Sequence, residues 1–197
     1  MTGRLQGSRL VGIPLVSAVA VCLVFGLDAF YRRGLPLPIS GPVDWLAHVA
    51  TTGLMLVALC PRASRSFAVA ALLSTVLIDL DHLPHILVSF VIGREAPGHG
   101  LWLFHTLLAL GVASVIGLGR LGPARHWWLG IAFGLGTHLV RNAASGEGIP
   151  AFLPLSTQRI AAPYEIYAVV LVATLAITLR REAARRRTTS SAPLTGQ

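Results

Sequence analysis

The chain has 197 residues, enough for one domain, with 54% hydrophobic and 12% charged residues and a mean hydropathy of +0.69. That balance excludes a soluble globular domain and fits a chain made of membrane-spanning helices. The net charge is +8, but the basic residues, all arginine, fall in alternate loops and form no single basic face, which argues against nucleic acid as a partner.

In chain order, six apolar stretches are predicted as spans: about 11–30, 43–60, 66–92, 101–119, 127–143 and 163–180. The third is a span with a broken continuation. The expected fold is an all-α polytopic membrane bundle, a single domain over 1–182, followed by a basic disordered tail over 183–197. Arg4 and Arg9 before the first stretch, with Ala18-Val19-Ala20 inside it, also fit a signal peptide. The apolar run continues to Phe30, however, so an uncleaved first span is expected. Cys22 and Cys60 sit in different spans at different depths with no CxxC partner, which predicts no disulfide.

The arginines give the orientation. Arg4, Arg9, Arg62, Arg65, Arg120, Arg125, Arg180, Arg181, Arg185, Arg186 and Arg187 fall on one side, with Glu182 as the lone acid there. The other side carries Arg32, Arg33, Arg94, Arg141 and Arg159 with the remaining seven acids. The positive-inside rule then puts both termini in the cytoplasm of a cytoplasmic-membrane protein. The C-terminal arginine run is expected to meet anionic lipid headgroups.

Ionisable groups inside spans are costly, and a convergent set of them points to a polar site. His48 lies near the outer end of span two. Asp79, Asp81 and His82 lie near the exit of span three, His105 in the first turns of span four, and His138 and Asn142 near the exit of span five. All fall on the side opposite the arginines, although the orientation came from arginine counts alone. Carboxylates with imidazoles suit a divalent metal: zinc first, with manganese and iron as alternatives. Asp79 and His82 share a helical face. Asp79 and Asp81 point roughly 200° apart on an ideal helix, so both can face one ion only if the helix breaks, and Pro84 offers a break. Singly, each histidine also fits a packed core residue, and Asp81 also fits a helix cap. His85 is a neighbour of the cluster, His99 lies in the flexible Gly98-His99-Gly100 segment, and His126 falls on the arginine-rich side. Arg94 and Arg141 could bind phosphate oxygens or simply reach the interface. Trp102, Trp127 and Trp128 read as interfacial residues, and Gly146, Gly148 and Pro150 predict an ordered turn after span five.

Pro97-Gly98-His99 is similar to the PSGH element of membrane phosphatidic-acid phosphatases. That family also needs a lysine-containing element and a Ser-Arg pair where this chain has Ile131-Ala132, so it is set aside. His48, Asp79-Leu80-Asp81-His82, His105-Thr106, His138-Leu139-Val140-Arg141-Asn142, Gly148-Ile149-Pro150 and Pro154-Leu155-Ser156 together resemble the YdjM-like membrane-bound metal-dependent hydrolase family over about 43–160. Two positions depart from its pattern. Its HxxxD is HxxxN here, and His99 lies six residues before His105 without the family's intervening arginine. The resemblance implies a metal-dependent hydrolase of an ester or phosphoester, or a lipid, at the membrane surface. His48, Asp79, Asp81, His82, His105, His138 and Asn142 would then be ligands, and His99 or Arg141 would stabilise charge. The alternative is a non-catalytic metal-binding membrane protein. Transport is disfavoured because the inner halves of the spans are apolar.

Overall fold

A computed structural model describes residues 5–34, 37–82, 87, 91, 104–145 and 148–190. Among these the chain is all-α: α1 (Leu5–Tyr31), α2 (Leu37–Leu59), α3 (Arg65–Leu77), α4 (Leu107–Leu118), α5 (Gly122–Ser145) and α6 (Tyr164–Ser190). Hydroxyl caps fix where two of these helices begin. The Ser64 hydroxyl accepts from the Phe67 amide and opens α3, and the Thr106 hydroxyl accepts from the Ala109 amide and opens α4 directly after His105. At its other end α3 tightens into a 3-10 turn over Ile78–His82. The helix therefore breaks earlier than Pro84, which lies outside the described residues.

The packing is inverted relative to a soluble protein. Large apolar side chains on α1, α4 and α6 face outward, among them Val16, Val115 and Val169 at 66–71% exposure. Threonines, histidines and ion pairs fill the interior alongside small apolar clusters such as Val24, Leu54, Tyr167 and Leu171. An apolar exterior of this extent needs lipid to cover it. Small residues bring the helices close, as in membrane bundles. On α5, Gly130 and Gly134 form a GxxxG stripe against α3. A Cβ on Gly130 would collide with the Phe67 carbonyl, and one on Gly134 with the Ala71 carbonyl and the Ser74 hydroxyl. Hydroxyl bonds knit the same region: Thr52 donates to Thr75 at 3.0 Å and bonds Thr137 at 2.7 Å, and Thr51 bonds the Tyr167 hydroxyl at 2.5 Å.

Among the described residues, two helical segments are long and apolar enough to cross a membrane, Ile13–Tyr31 and Ile39–Leu59; Leu107–Leu118 is apolar but shorter. Six spans were expected. The difference falls largely on the helices that carry the polar residues. α3 ends after thirteen residues at the 3-10 turn, and α5 carries Arg125, His126, His138 and Arg141. α6 continues through Ser190, so residues 183–190 extend a helix where a disordered tail was expected. Alanine and arginine favour helix there, and Arg186 pairs with Glu182 one turn back at 3.4 Å.

Candidate metal centre

Each polar side chain is placed by a helix or its end. On α2, Asp44 and His48 are four residues apart and share a face; on α5, His138 and Arg141 are three apart and do the same. The two helices run antiparallel, so these pairs meet as two rungs. His48 stacks on His138 with ring centroids 3.7 Å apart and an interplanar angle of 7°. One turn away, Arg141 donates to Asp44 Oδ1 at 2.5 Å. The 3-10 turn brings Asp79 and His82 onto one edge, because residues three apart eclipse at three residues per turn. His105 enters from the segment before α4. The Leu107 amide donates to the Ala151 carbonyl at 2.9 Å, so the turn after α5 sets the height of His105. The described part of the expected turn, from Gly148 on, is held by the backbone hydrogen bonds of 2.9 and 2.8 Å that Ile149 and Ile160 exchange. Gly148 has φ +84, and a Cβ there would press on the Ile160 carbonyl.

The first rung belongs to a cluster of electron-pair donors. His138 Nδ1 donates to the Thr75 carbonyl at 2.8 Å. A carbonyl only accepts, so a neutral His138 presents its Nε2 lone pair to the interior. Asp79 Oδ1 lies 3.3 Å from that nitrogen and 3.2 Å from His105 Nε2, and the two nitrogens are 3.0 Å apart. The three atoms form a nearly equilateral triangle. Neighbouring ligands of a tetrahedral ion with bonds of about 2.0 Å are about 3.3 Å apart, so the edges match. His82 Nε2 stands 4.0 Å from Asp79 Oδ1 and 3.7 Å from Asp81 Oδ1. Asp81 Oδ2 accepts from the Phe104 amide at 3.2 Å and lies 3.1 Å from His105 Nδ1, which orients that ring. Two groups of possible ligands result, His48 with Asp79 and His138, and Asp79 with His82 and His105; Asp79 belongs to both.

Among the described residues, buried His48 Nδ1 and Asp79 Oδ2 have no hydrogen-bond partner, and buried His48 Nε2 and Asp81 Oδ1 have only longer ionic neighbours, Asp44 Oδ2 at 3.4 Å and His82 Nε2 at 3.7 Å. An unpartnered buried polar atom costs about 1–3 kcal/mol. Unpartnered atoms on His48 and Asp79, two residues of the ligand groups beside the triangle, are a pattern that a metal ion satisfies. The donor set of imidazole and carboxylate fits zinc, manganese or iron. Asn142 differs from the other expected ligands. Its amide nitrogen faces His138 Nε2 at 2.9 Å, so a donor stands where a carboxylate would offer an acceptor.

The chain belongs to the YdjM inner membrane protein family. The match runs over residues 43–195, from within α2 through α6, and so includes every residue of the cluster. It extends beyond the 43–160 region that carries the motif resemblance. No curated protein and no solved structure matches the chain.

The second rung forms a separate ion cluster that the sequence pattern did not mark. Arg141 is fully buried. Its guanidinium donates to Asp44 on α2 and, at 2.6 Å, to Asp28 Oδ1 on α1. Tyr164 on α6 donates to Asp28 Oδ2 at 2.9 Å, and Arg32 lies over the Tyr164 ring at 3.5 Å. Asp44 Oδ2 also stands 3.4 Å from His48 Nε2, which links the two clusters. Arg141, expected to meet substrate charge, is instead engaged by two carboxylates of its own chain. Asp28 and Asp44 carried the same signal as the chosen residues, an acid inside an apolar span, and Thr75 acts through a backbone carbonyl that no side-chain pattern marks. His126 is exposed on the first turns of α5, at the far end of that helix from His138. His85, Arg94, His99, Trp102 and Gly146 lie outside the described residues.

Proposed function

We propose that this YdjM-family protein is a metal-dependent membrane hydrolase acting on an ester or phosphoester, with lipid as one substrate class. The observation that carries the reading is the close mutual approach of Asp79 Oδ1, His105 Nε2 and His138 Nε2, with buried unpartnered atoms on Asp79 and His48 beside them. His48, Asp79, His82, His105 and His138 would hold the ion, with Asp81 orienting His105 and the Thr75 carbonyl orienting His138. When bound, such an ion supplies Lewis acidity and brings the pKa of a water towards 7. The half-buried His82 is the ligand candidate nearest solvent and stands where a substrate would enter. Arg141 acts as a positioning residue: it holds Asp44, and through Asp44 it fixes the ring of His48. His99 remains the candidate for charge stabilisation from the loop.

The test is metal content of the purified protein by elemental mass spectrometry, followed by esterase and phosphodiesterase screens of the loaded protein. Stoichiometric metal and a turnover lost in His82→Ala are expected. Metal without turnover on any ester class favours the second reading, a non-catalytic metal-binding membrane protein. Asn142 supports that reading, because a neutral amide stands where the resembling family has a carboxylate, so a loaded site would have one anionic group fewer beside it.

The cluster is proposed to face the extracytoplasmic side, with both termini in the cytoplasm, on the strength of the arginine distribution. Leu155, at the cluster's end of the bundle and 92% exposed, gives the probe. A Leu155→Cys variant should react with an impermeant maleimide on intact cells. Reaction only after permeabilisation inverts the orientation.

A further inference from the structure

The end of the bundle opposite the cluster holds a crevice that the hydrolase reading does not use. It lies about 18 Å from His48 along α2, the rise of twelve residues. One hollow of about 290 Å³ has an apolar wall that includes Ile13, Leu56 and Val57. An adjoining hollow of about 530 Å³ is bordered by Arg62, Arg181 and Arg185. Cys60, Pro61, Ala63, Arg181 and Arg185 border both, so the two hollows form one groove with an apolar inner half and a basic outer half. Arg181 donates to the Ala58 carbonyl at the end of α2, a neutral acceptor that holds the guanidinium at the rim and leaves its charge undiminished. Glu182, the acid in the wall, is buried and paired with Arg186, so it does not cancel the rim.

We infer that this groove binds one anionic phospholipid, with the headgroup phosphate on Arg62 and Arg181 and an acyl chain along Ile13, Leu56 and Val57. Two features select that occupant. Its two-part chemistry matches the two halves of the groove. The groove also opens at the arginine-rich end of an inner-membrane protein, the level at which anionic headgroups lie. Guanidinium forks suit phosphate oxygens better than a point charge does. The site is independent of the metal cluster and stands if the hydrolase reading fails.

Cys60 in the wall is a native reporter. In a Cys22→Ala background, the rate of Cys60 alkylation by neutral N-ethylmaleimide is measured in nanodiscs of phosphatidylcholine alone and of phosphatidylcholine with one quarter phosphatidylglycerol. Phosphatidylglycerol should slow alkylation about fivefold or more, and Arg62→Ala/Arg181→Ala should abolish the protection. Native mass spectrometry should show one retained phosphatidylglycerol, lost both in that variant and in Val57→Trp, which fills the apolar half and keeps the arginines. Equal rates in the two lipids, or protection that persists in the arginine variant, overturn the proposal. Protection by inorganic phosphate alone in phosphatidylcholine also overturns it, and makes the rim a site for the free anion.

Discussion

Replacing Arg141 by methionine should destabilise the protein by about 3–5 kcal/mol, the usual cost of removing one partner from a buried ion pair. The reason lies in what remains. Asp28 and Asp44 would face each other's charge in the interior with the guanidinium gone, and Asp28 is almost fully buried. The Tyr164 hydroxyl could answer only one oxygen of Asp28. In thermal unfolding of the detergent-solubilised protein, that loss corresponds to a midpoint lower by roughly 6–20 °C, at about 2–4 °C per kcal/mol for a chain of this size. The triple variant Asp28→Asn/Asp44→Asn/Arg141→Met should recover most of it, because the amides keep the shapes and the acceptor oxygens without buried charge. A small loss in Arg141→Met, under about 1 kcal/mol, is the behaviour of a solvated pair and would remove the cluster as a structural device. Recovery in the triple variant without recovery of metal content would separate stability from the positioning of His48 through Asp44.

The all-α class was legible because lipid imposes it: a hydropathy this high, interrupted at span-length intervals, leaves helices as the economical solution to backbone hydrogen bonding. The convergence of the cluster residues was legible for a related reason. A histidine or aspartate in an apolar stretch is expensive, so its position along the stretch carries information. Two things were not legible. Whether Asp79 and Asp81 act together depends on where α3 gives way, and Pro84 marked the wrong place. The helix already narrows to three residues per turn at Ile78, where nothing in the sequence announces it. The partner of Arg141 was hidden as well. Its two carboxylates come from α1 and α2, about a hundred residues away, and local spacing on α5 offers only Thr137, His138 and Ser145 as polar neighbours. Asp28 and Asp44 met the criterion used for the chosen residues, yet were counted only as charges on one side. Treating every acid within a span as a partner to be found would have paired them with the one arginine inside span five.

Asp79 tests the metal reading most directly, because its Oδ1 touches both sides of the cluster. An ion that binds only the folded protein stabilises it by RT ln(1 + [L]/Kd), about 4 kcal/mol at a thousand times Kd. Adding zinc to chelator-treated protein should therefore raise the unfolding midpoint by about 8–16 °C. Asp79→Asn should show no such rise. The amide is isosteric and can still accept from one imidazole, but it withdraws the anionic charge shared by the His48–His138 and His82–His105 groups. Asp81→Asn provides the contrast. One of its oxygens is already committed to the Phe104 amide and the His105 ring, so its chief effect should be to loosen His105 and to weaken affinity about 10–100-fold, the range for partners that orient a ligand. Equal and complete loss in both variants would make Asp81 a ligand in its own right through Oδ1. If the unmodified protein ignores zinc, manganese and iron alike, the cluster is a proton-sharing network. The close approach of Asp79 to two imidazoles would then reflect a shared proton where an ion was inferred, and the hydrolase reading would go with the metal.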